Sequence, residues 1–235
     1  MTVSFPHPFA AVIFDLDGTL VDTAPDLIAC LNKALAANGF SAIGHAQVKP
    51  CISHGAMAMI ALAAPDADAA AKSRLLDYML DCYEQNIAEH SRFYAGIAET
   101  LSAIEEQGLK WGVVTNKRER FTHPLMAALK LTERAACIVS GDTTANPKPH
   151  PEPMWAACKQ AQVNPVECVY IGDAQHDITA GKNAQMKTLA ALYGYIKAED
   201  SPEAWGADAL IESPEQILTW IALATSSSEA LLPCR

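Results

Sequence analysis

The sequence predicts an α/β protein: a doubly wound, Rossmann-like parallel sheet core carrying a small, wholly α-helical insert. Three features carry that reading. Short apolar runs that end at a polar residue alternate with helical patterns along most of the chain. The runs are continuously apolar, as strands covered on both faces must be, and do not alternate in and out. The stretch 23–92 breaks the rhythm with helical patterns alone, so the expected layout is a core of residues 1–22 and 93–235 interrupted by a helical domain of residues 23–92. At 235 residues the chain exceeds one average domain and falls short of two. A chain of that length buries roughly 70–75% of its unfolded surface, enough to fold without staples.

The strands, in order, are "AAVIFD" ending at Asp15, "KWGVVTN" at Asn116, "ACIVSGD" at Asp142 and "CVYIGD" at Asp173, then "KTLAALYG" and "ADALIES". Helices lie between them. "TLSAIEEQG" is closed by Gly108 at its C-terminal cap, a second helix runs from about Arg118 to Leu131, "PEPMWAACKQAQ" starts on prolines, and "SPEQILTWIALA" comes last. Within the insert, "APDLIACLNKALAANG" begins at Pro25 and stops at Gly39, and Ala-rich and Met-rich helical stretches follow. The tail from Ala224 to Arg235 is expected to fray.

Composition narrows the function. Half the residues are hydrophobic (50%) and 19% are charged, as in an ordinary globular protein. Seventeen Lys and Arg against 27 Asp and Glu give a net charge of -10, which repels polyanions and leaves no basic stripe for nucleic acid. An anionic ligand therefore needs local cations. The seven cysteines are far apart and form no CxxC pair, which argues for reduced, mostly buried thiols and against a zinc knuckle or disulfide framework. No Lys or Arg precedes the first apolar run and no stretch reaches the roughly 18 apolar residues of a membrane span, so the expected compartment is the cytoplasm, with no membrane or protein partner indicated.

Side chains two apart on a strand share a face, so Asp15 and Asp17 project together while Leu16 points into the core. Two such carboxylates repel unless a cation lies between them or one holds a proton. A strand-ending turn is the plain alternative, since Asp and Gly are common there. That alternative weakens when the other strand ends are added. Open α/β sheets bind ligands at the carboxyl edge of their strands, where Asp15, Thr115 with Asn116, the loop "NPKPHPE" and Asp173 would converge. Asp15 with Asp173 suits Mg²⁺, which takes a few carboxylate oxygens and keeps its other positions for water or phosphate. Lys148 is held between Pro147 and Pro149. Asp177 either supports the metal or complements a helix N-terminus near Ala174, and Lys117 and Arg118 begin a helix whose dipole opposes them, which favours a ligand-facing role. His54, in "SHGAMAM", lies in the insert within possible reach of a substrate. No HExxH, GxxxxGK[ST] or GxSxG occurs.

In this order and spacing, "DLDGTLVDT", "VVTNK", "KPHPEP" and "IGDAQHD" resemble the four motifs of the haloacid dehalogenase superfamily of phosphatases, over nearly the whole chain. Within it the chain resembles the phosphoglycolate phosphatase branch. "WGVVTNK", "ISHGAMAM" and "YGYIKAEDSPEAWGAD" are similar to N-acetylmuramic acid 6-phosphate phosphatases. The resemblance implies that the helical insert is a cap, that Asp15 is a nucleophile forming an aspartyl-phosphate, and that Asp17 is the acid and then the base. It implies that Thr115 and Lys148 hold the phosphoryl group, and that Asn116, Lys117 and His54 contact the substrate, a small phosphate ester. It also implies Mg²⁺ as cofactor, with Asp15, Asp17 (through its carbonyl), Asp173 and Asp177 as the metal residues. A sugar-phosphate mutase is the alternative chemistry. Two departures stand out: His150 where Asp is frequent, expected to weaken a helix cap, and Ala174 where a second acid is frequent, expected to leave metal binding to Asp173 and Asp177.

Overall fold

A computed structural model describes residues 8–229. Its main sheet has six parallel strands in the order β5-β4-β1-β6-β7-β8: β1 (Ala11–Phe14), β4 (Lys110–Val114), β5 (Cys137–Val139), β6 (Cys168–Gly172), β7 (Lys187–Ala191) and β8 (Ala209–Ile211). All six predicted strands are present. The chain first builds leftward from β1 and then returns to build rightward from β6, so the order reverses beside β1 and opens a crevice at the carboxyl ends of β1, β4 and β6.

The pleat of β1 separates two cores. Val12 and Phe14 pack with Ile97, Leu101 and Ile104 of α5 (Ile97–Glu106), with Leu125 and Met126 of α6 (Glu119–Ala128), and with Ile217 and Ile221 of α9 (Glu215–Glu229). Ala11 and Ile13 face Met154 and Ala157 of α7 (Glu152–Ala161) and Ala180 of α8 (Gln175–Asn183). Both faces are covered, which is why the strands read as unbroken apolar runs.

Between β1 and α5 lie α1 (Ala24–Ala37), α2 (His45–Val48), a 3₁₀ turn (Lys49–His54), α3 (Ala56–Ala63) and α4 (Ala69–Gln85). Pro25 sits in the first turn of α1, where a missing N–H is harmless. Asp68 caps α4 by accepting from Ala71 N at 2.7 Å. Leu31 and Leu35 of α1, Ile60 of α3, and Leu75 and Met79 of α4 form a cluster of their own.

The two strands that connect this helical segment to the sheet pair with each other. β2 (Val21–Asp22) runs antiparallel to β3 (Arg92–Phe93), and buried Asp26 accepts from His90 N at 2.9 Å, Ser91 N at 2.8 Å and Ser91 Oγ at 2.6 Å. This two-stranded ribbon was not expected, because the segment 23–92 was read as wholly helical. Two residues per strand carry no periodicity, and their pairing joins positions far apart in sequence.

The tail also differs from expectation. The last helix continues to Glu229 where fraying from Ala224 was predicted, with Thr225 Oγ1 donating to Ile221 O at 2.8 Å and Ser226 Oγ to Ala222 O at 3.1 Å. Residues 230–235 of the predicted frayed tail lie outside the described region. The six described cysteines are free thiols, four of them buried. Among the described residues no helix is long and apolar enough to cross a membrane.

Candidate active site

The carboxyl ends of β1, β4 and β6 place Asp15, Asp17, Asp173 and Lys117 at the crevice, and the loop after β5 adds Lys148. Asp15 follows β1, where its N–H is held by Ile171 O at 2.8 Å, and it is 5% exposed. Thr115 ends β4, with its N–H on Val139 O at 3.0 Å. Asp173 follows β6 and is 1% exposed. Gly18 has φ +87°, and a Cβ there would run into the Asp173 carboxylate, so the turn after Asp17 closes on Asp173 only because its residue is glycine.

Lys148 is completely buried. Its Nζ donates to Asp177 Oδ1 at 2.7 Å, Tyr170 Oη at 2.9 Å and Val114 O at 3.0 Å, and it lies 2.9 Å from Asp15 Oδ1. That last contact is an ion pair outside hydrogen-bond geometry, so Asp15 Oδ1 receives no hydrogen bond among the described residues. Burial opposes the ammonium charge, but Asp15 and Asp177 outweigh it and hold Lys148 above its ordinary pKa. Asp177 is pulled the other way. Burial works against its ionisation, yet Lys148 and then His176 bring its carboxyl below the usual range.

Asp177 also accepts from Ala174 N at 3.1 Å, the half of a capping box that an alanine N-cap permits. It therefore serves the helix and the lysine together. The N-cap of α7, Pro151, makes no side-chain cap bond, and His150, one residue earlier, accepts from Glu152 N through its Nδ1 at 3.2 Å.

Asp15, Asp173 and Asp177 each offer an oxygen within 4.8 Å of the others. Burial first, and then the charge of Asp177 and Asp17 against the pull of Lys148, leaves Asp15 raised. Burial, then Asp15 and Asp177, push Asp173 well above the usual carboxylate range although Tyr195 N and Ser53 Oγ donate to its Oδ2 at 2.7 and 2.9 Å. Three buried carboxylates within 4.8 Å of one another, with one lysine paired to Asp15 and Asp177 and none to Asp173, form an all-oxygen, charge-rich set, and a hard divalent cation fits it. The side chain of Asp17 stands outside this trio. It accepts from Thr23 Oγ1 at 2.6 Å and from Lys117 Nζ at 3.0 and 3.2 Å.

The crevice continues into a cavity of about 640 Å³ roofed by the helical segment. Asp15, Asp17, Thr115, Asn116, Lys117, Lys148 and His54 all line it. Their tasks differ. The Asn116 side chain clamps the Lys148 backbone, donating to its O and accepting from its N, both at 3.0 Å. Lys117 is held by Asp17 and by the face of Tyr83, whose ring centre is 4.5 Å away. Burial works against the Lys117 charge, but Asp17 and then Tyr83 raise its pKa. His54 is exposed at the mouth, and burial followed by Lys197 keeps its imidazole below the ordinary value.

Four neighbours of the site were not anticipated: Ser53, Tyr83, Tyr170 and Tyr195. Tyr195 donates its N–H to Asp173, and its hydroxyl lies 2.8 Å from Asp22 and accepts from Thr23 N at 2.7 Å and Ala24 N at 3.0 Å. It thus ties a carboxylate of the trio to the start of α1. The available signal was a tyrosine beside glycine just beyond a strand end.

Carboxylates and a buried lysine gathered at the switch point of a doubly wound sheet, under a helical roof, define an α/β enzyme. The chain belongs to the haloacid dehalogenase-like hydrolase family, whose profile matches residues 12–191. It is 43% identical over 210 residues to an N-acetylmuramic acid 6-phosphate phosphatase of Pseudomonas putida, covering 88% of this chain and 93% of that one. It is 44% identical over 211 residues to a phosphoglycolate phosphatase of Xylella fastidiosa, covering 90% and 91%. Among solved structures it is similar to a predicted phosphoglycolate phosphatase from Haemophilus somnus, with a TM-score of 0.82 and 26% identity over 92% of this chain and 99% of that one.

Proposed function

We propose that the protein is a Mg²⁺-dependent cytoplasmic phosphatase that hydrolyses N-acetylmuramic acid 6-phosphate through an aspartyl-phosphate on Asp15. The observation that carries the reading is the buried Asp15 carboxylate on the cavity wall, paired with Lys148 at 2.9 Å and flanked by Thr115 and Asp17. Residues 23–92 act as a cap over a core of residues 1–22 and 93–235.

In this scheme an Asp15 oxygen attacks phosphorus as the ester P–O bond breaks, and Asp17 gives its proton to the departing sugar oxygen. Asp17 then takes a proton from the water that attacks the aspartyl-phosphate, which frees inorganic phosphate and restores Asp15. Lys148 and the Thr115 hydroxyl hold phosphoryl oxygens, Lys117 with Thr23 orients Asp17, and Asn116 holds the Lys148 loop in place. Asp15 and Asp173, with Asp177 behind them and the Asp17 carbonyl beside them, would hold the Mg²⁺. When bound, Mg²⁺ supplies charge neutralisation for the phosphoryl oxygens and the carboxylates.

The relative from Pseudomonas putida supports the muramic acid ester, and so does a cavity of about 640 Å³ with an apolar roof, generous for glycolate. A phosphoglycolate phosphatase is the second reading, supported by relatives of that name at 44% and 41% identity. Initial rates of phosphate release across both esters and common hexose phosphates decide between them. A clear lead for the muramic acid ester is expected. Equal, feeble rates on all would overturn the assignment, and an isomerised sugar phosphate without free phosphate would indicate a mutase.

A further inference from the structure

Three Lys or Arg side chains line the cavity, and two of them are occupied by the protein itself: Lys117 by Asp17, and Lys148 by Asp15 and Asp177. The third is Arg118. Its guanidinium has no ion-pair or hydrogen-bond partner among the described residues, whereas its neighbours are engaged, Glu119 with His123 at 3.4 Å and Arg120 with Glu84 at 3.5 Å. Stability does not explain it. Arg118 is the N-cap of α6, where it makes no side-chain cap bond and where a positive charge opposes the helix dipole. In a protein of net charge -10, an exposed, unpaired guanidinium on the wall of an enzyme cavity is a free anion receptor.

In the reading above Lys148 and Thr115 meet the phosphoryl group, which leaves Arg118, also on the cavity wall, for a second anion on the leaving group. We propose that Arg118 is a specificity-determining residue that pairs with a carboxylate of the leaving group and so restricts the enzyme to phosphate esters of acids. The inference rests on the phosphatase reading above and deepens it. The substrates after which the relatives are named, muramic acid 6-phosphate and phosphoglycolate, differ in size and skeleton but share a phosphate ester and a carboxylate. A planar guanidinium with two parallel donors suits that carboxylate better than an ammonium does.

The test uses a matched pair of esters: N-acetylmuramic acid 6-phosphate, and N-acetylglucosamine 6-phosphate, which lacks the lactyl carboxylate. In R118A the ratio of kcat/KM for the acid over the neutral ester should fall about 10- to 100-fold, the worth of one charge-assisted pair. R118K should restore part of the ratio. The same ratio is read in dissociation constants by calorimetry, comparing D15N with D15N/R118A, where turnover plays no part. A ratio within about twofold of the parent in both measurements, well below one such pair, would overturn the assignment. If the unmodified enzyme releases phosphate from neither ester, the muramic acid reading fails by itself, and the dissociation constants still decide the role of Arg118.

Discussion

The floor and the roof of the cavity are built on different principles. On the floor, at the sheet edge, both buried lysines are matched by carboxylates at hydrogen-bond distance: Lys148 with Asp177 at 2.7 Å and Lys117 with Asp17 at 3.0 Å. On the roof, Leu27, Ile52, Met59, Leu76 and Leu80 present mostly apolar surface. Charge pairs in a dry site hold direction to fractions of an ångström, which bond-making requires. Apolar contacts are non-directional and reward area. The floor is thus suited to chemistry and the roof to selection, and they should respond differently to mutation: the floor in kcat, the roof in KM.

The largest effect expected is at Asp15. D15N keeps the shape and removes the nucleophile, so kcat should fall about 10³-fold or more, with no phosphoryl group trapped on the protein in acid-quenched samples. Near-normal turnover in a folded D15N preparation would end the floor's claim to the chemistry. Next comes Lys148. K148A removes a preorganised donor and should cost about 3 kcal/mol of transition-state stabilisation, roughly a hundredfold in kcat. The same change leaves Asp15 and Asp177 buried without their counter-ion, so a lower melting temperature should accompany it.

A third prediction concerns the carboxylate trio. The folded protein holds the Asp173 proton to higher pH than the unfolded chain does, because burial and two neighbouring carboxylates disfavour its anion. Between the unfolded value near 4 and that raised value, the folded state binds more protons, so Asp173 makes stability fall as pH rises. Asp177, lowered by Lys148, acts in the opposite sense and only at more acid pH. A divalent cation competes with the Asp173 proton. The stabilisation by a fixed concentration of Mg²⁺, read as a rise in Tm, should therefore grow as pH rises; a hundredfold excess over Kd is worth about 2.7 kcal/mol. Increments that do not change with pH would remove the trio as the metal site.

Floor and roof also differ in how far they could be read from the sequence. Strand ends such as Asp15, Thr115 and Asp173 are visible because a run of apolar residues stops at a polar one, and the sheet then delivers them all to one edge. Lys148 and Asp177 were visible as residues, but their mutual contact was not, since it depends on how α8 lies against the loop after β5. Asn116 looked like a ligand contact; it lines the cavity and also braces Lys148, a second task that residue type does not reveal. The partners from the roof and the late loop, Ser53 and Tyr195, reach Asp173 only through tertiary placement. Local pattern finds side chains that a strand aims, and it misses those that packing aims.

The smallest expected effect lies on the roof and sharpens the contrast most. Leu80 lines the cavity from α4, half-buried, and touches none of the charged groups of the floor by any hydrogen bond or ion pair. Shortening it in L80A removes apolar area that a bulky leaving group would cover, worth about 1 kcal/mol, so KM for the muramic acid ester should rise roughly fivefold. Phosphoglycolate has far less apolar surface to lay on that wall, and its KM should stay nearly constant. kcat for both esters should hold, because Asp15, Asp17 and Lys148 keep their partners. A fall in kcat with KM unmoved would mean that the roof helps to position the reacting groups, and the division between chemistry below and selection above would then have to be given up.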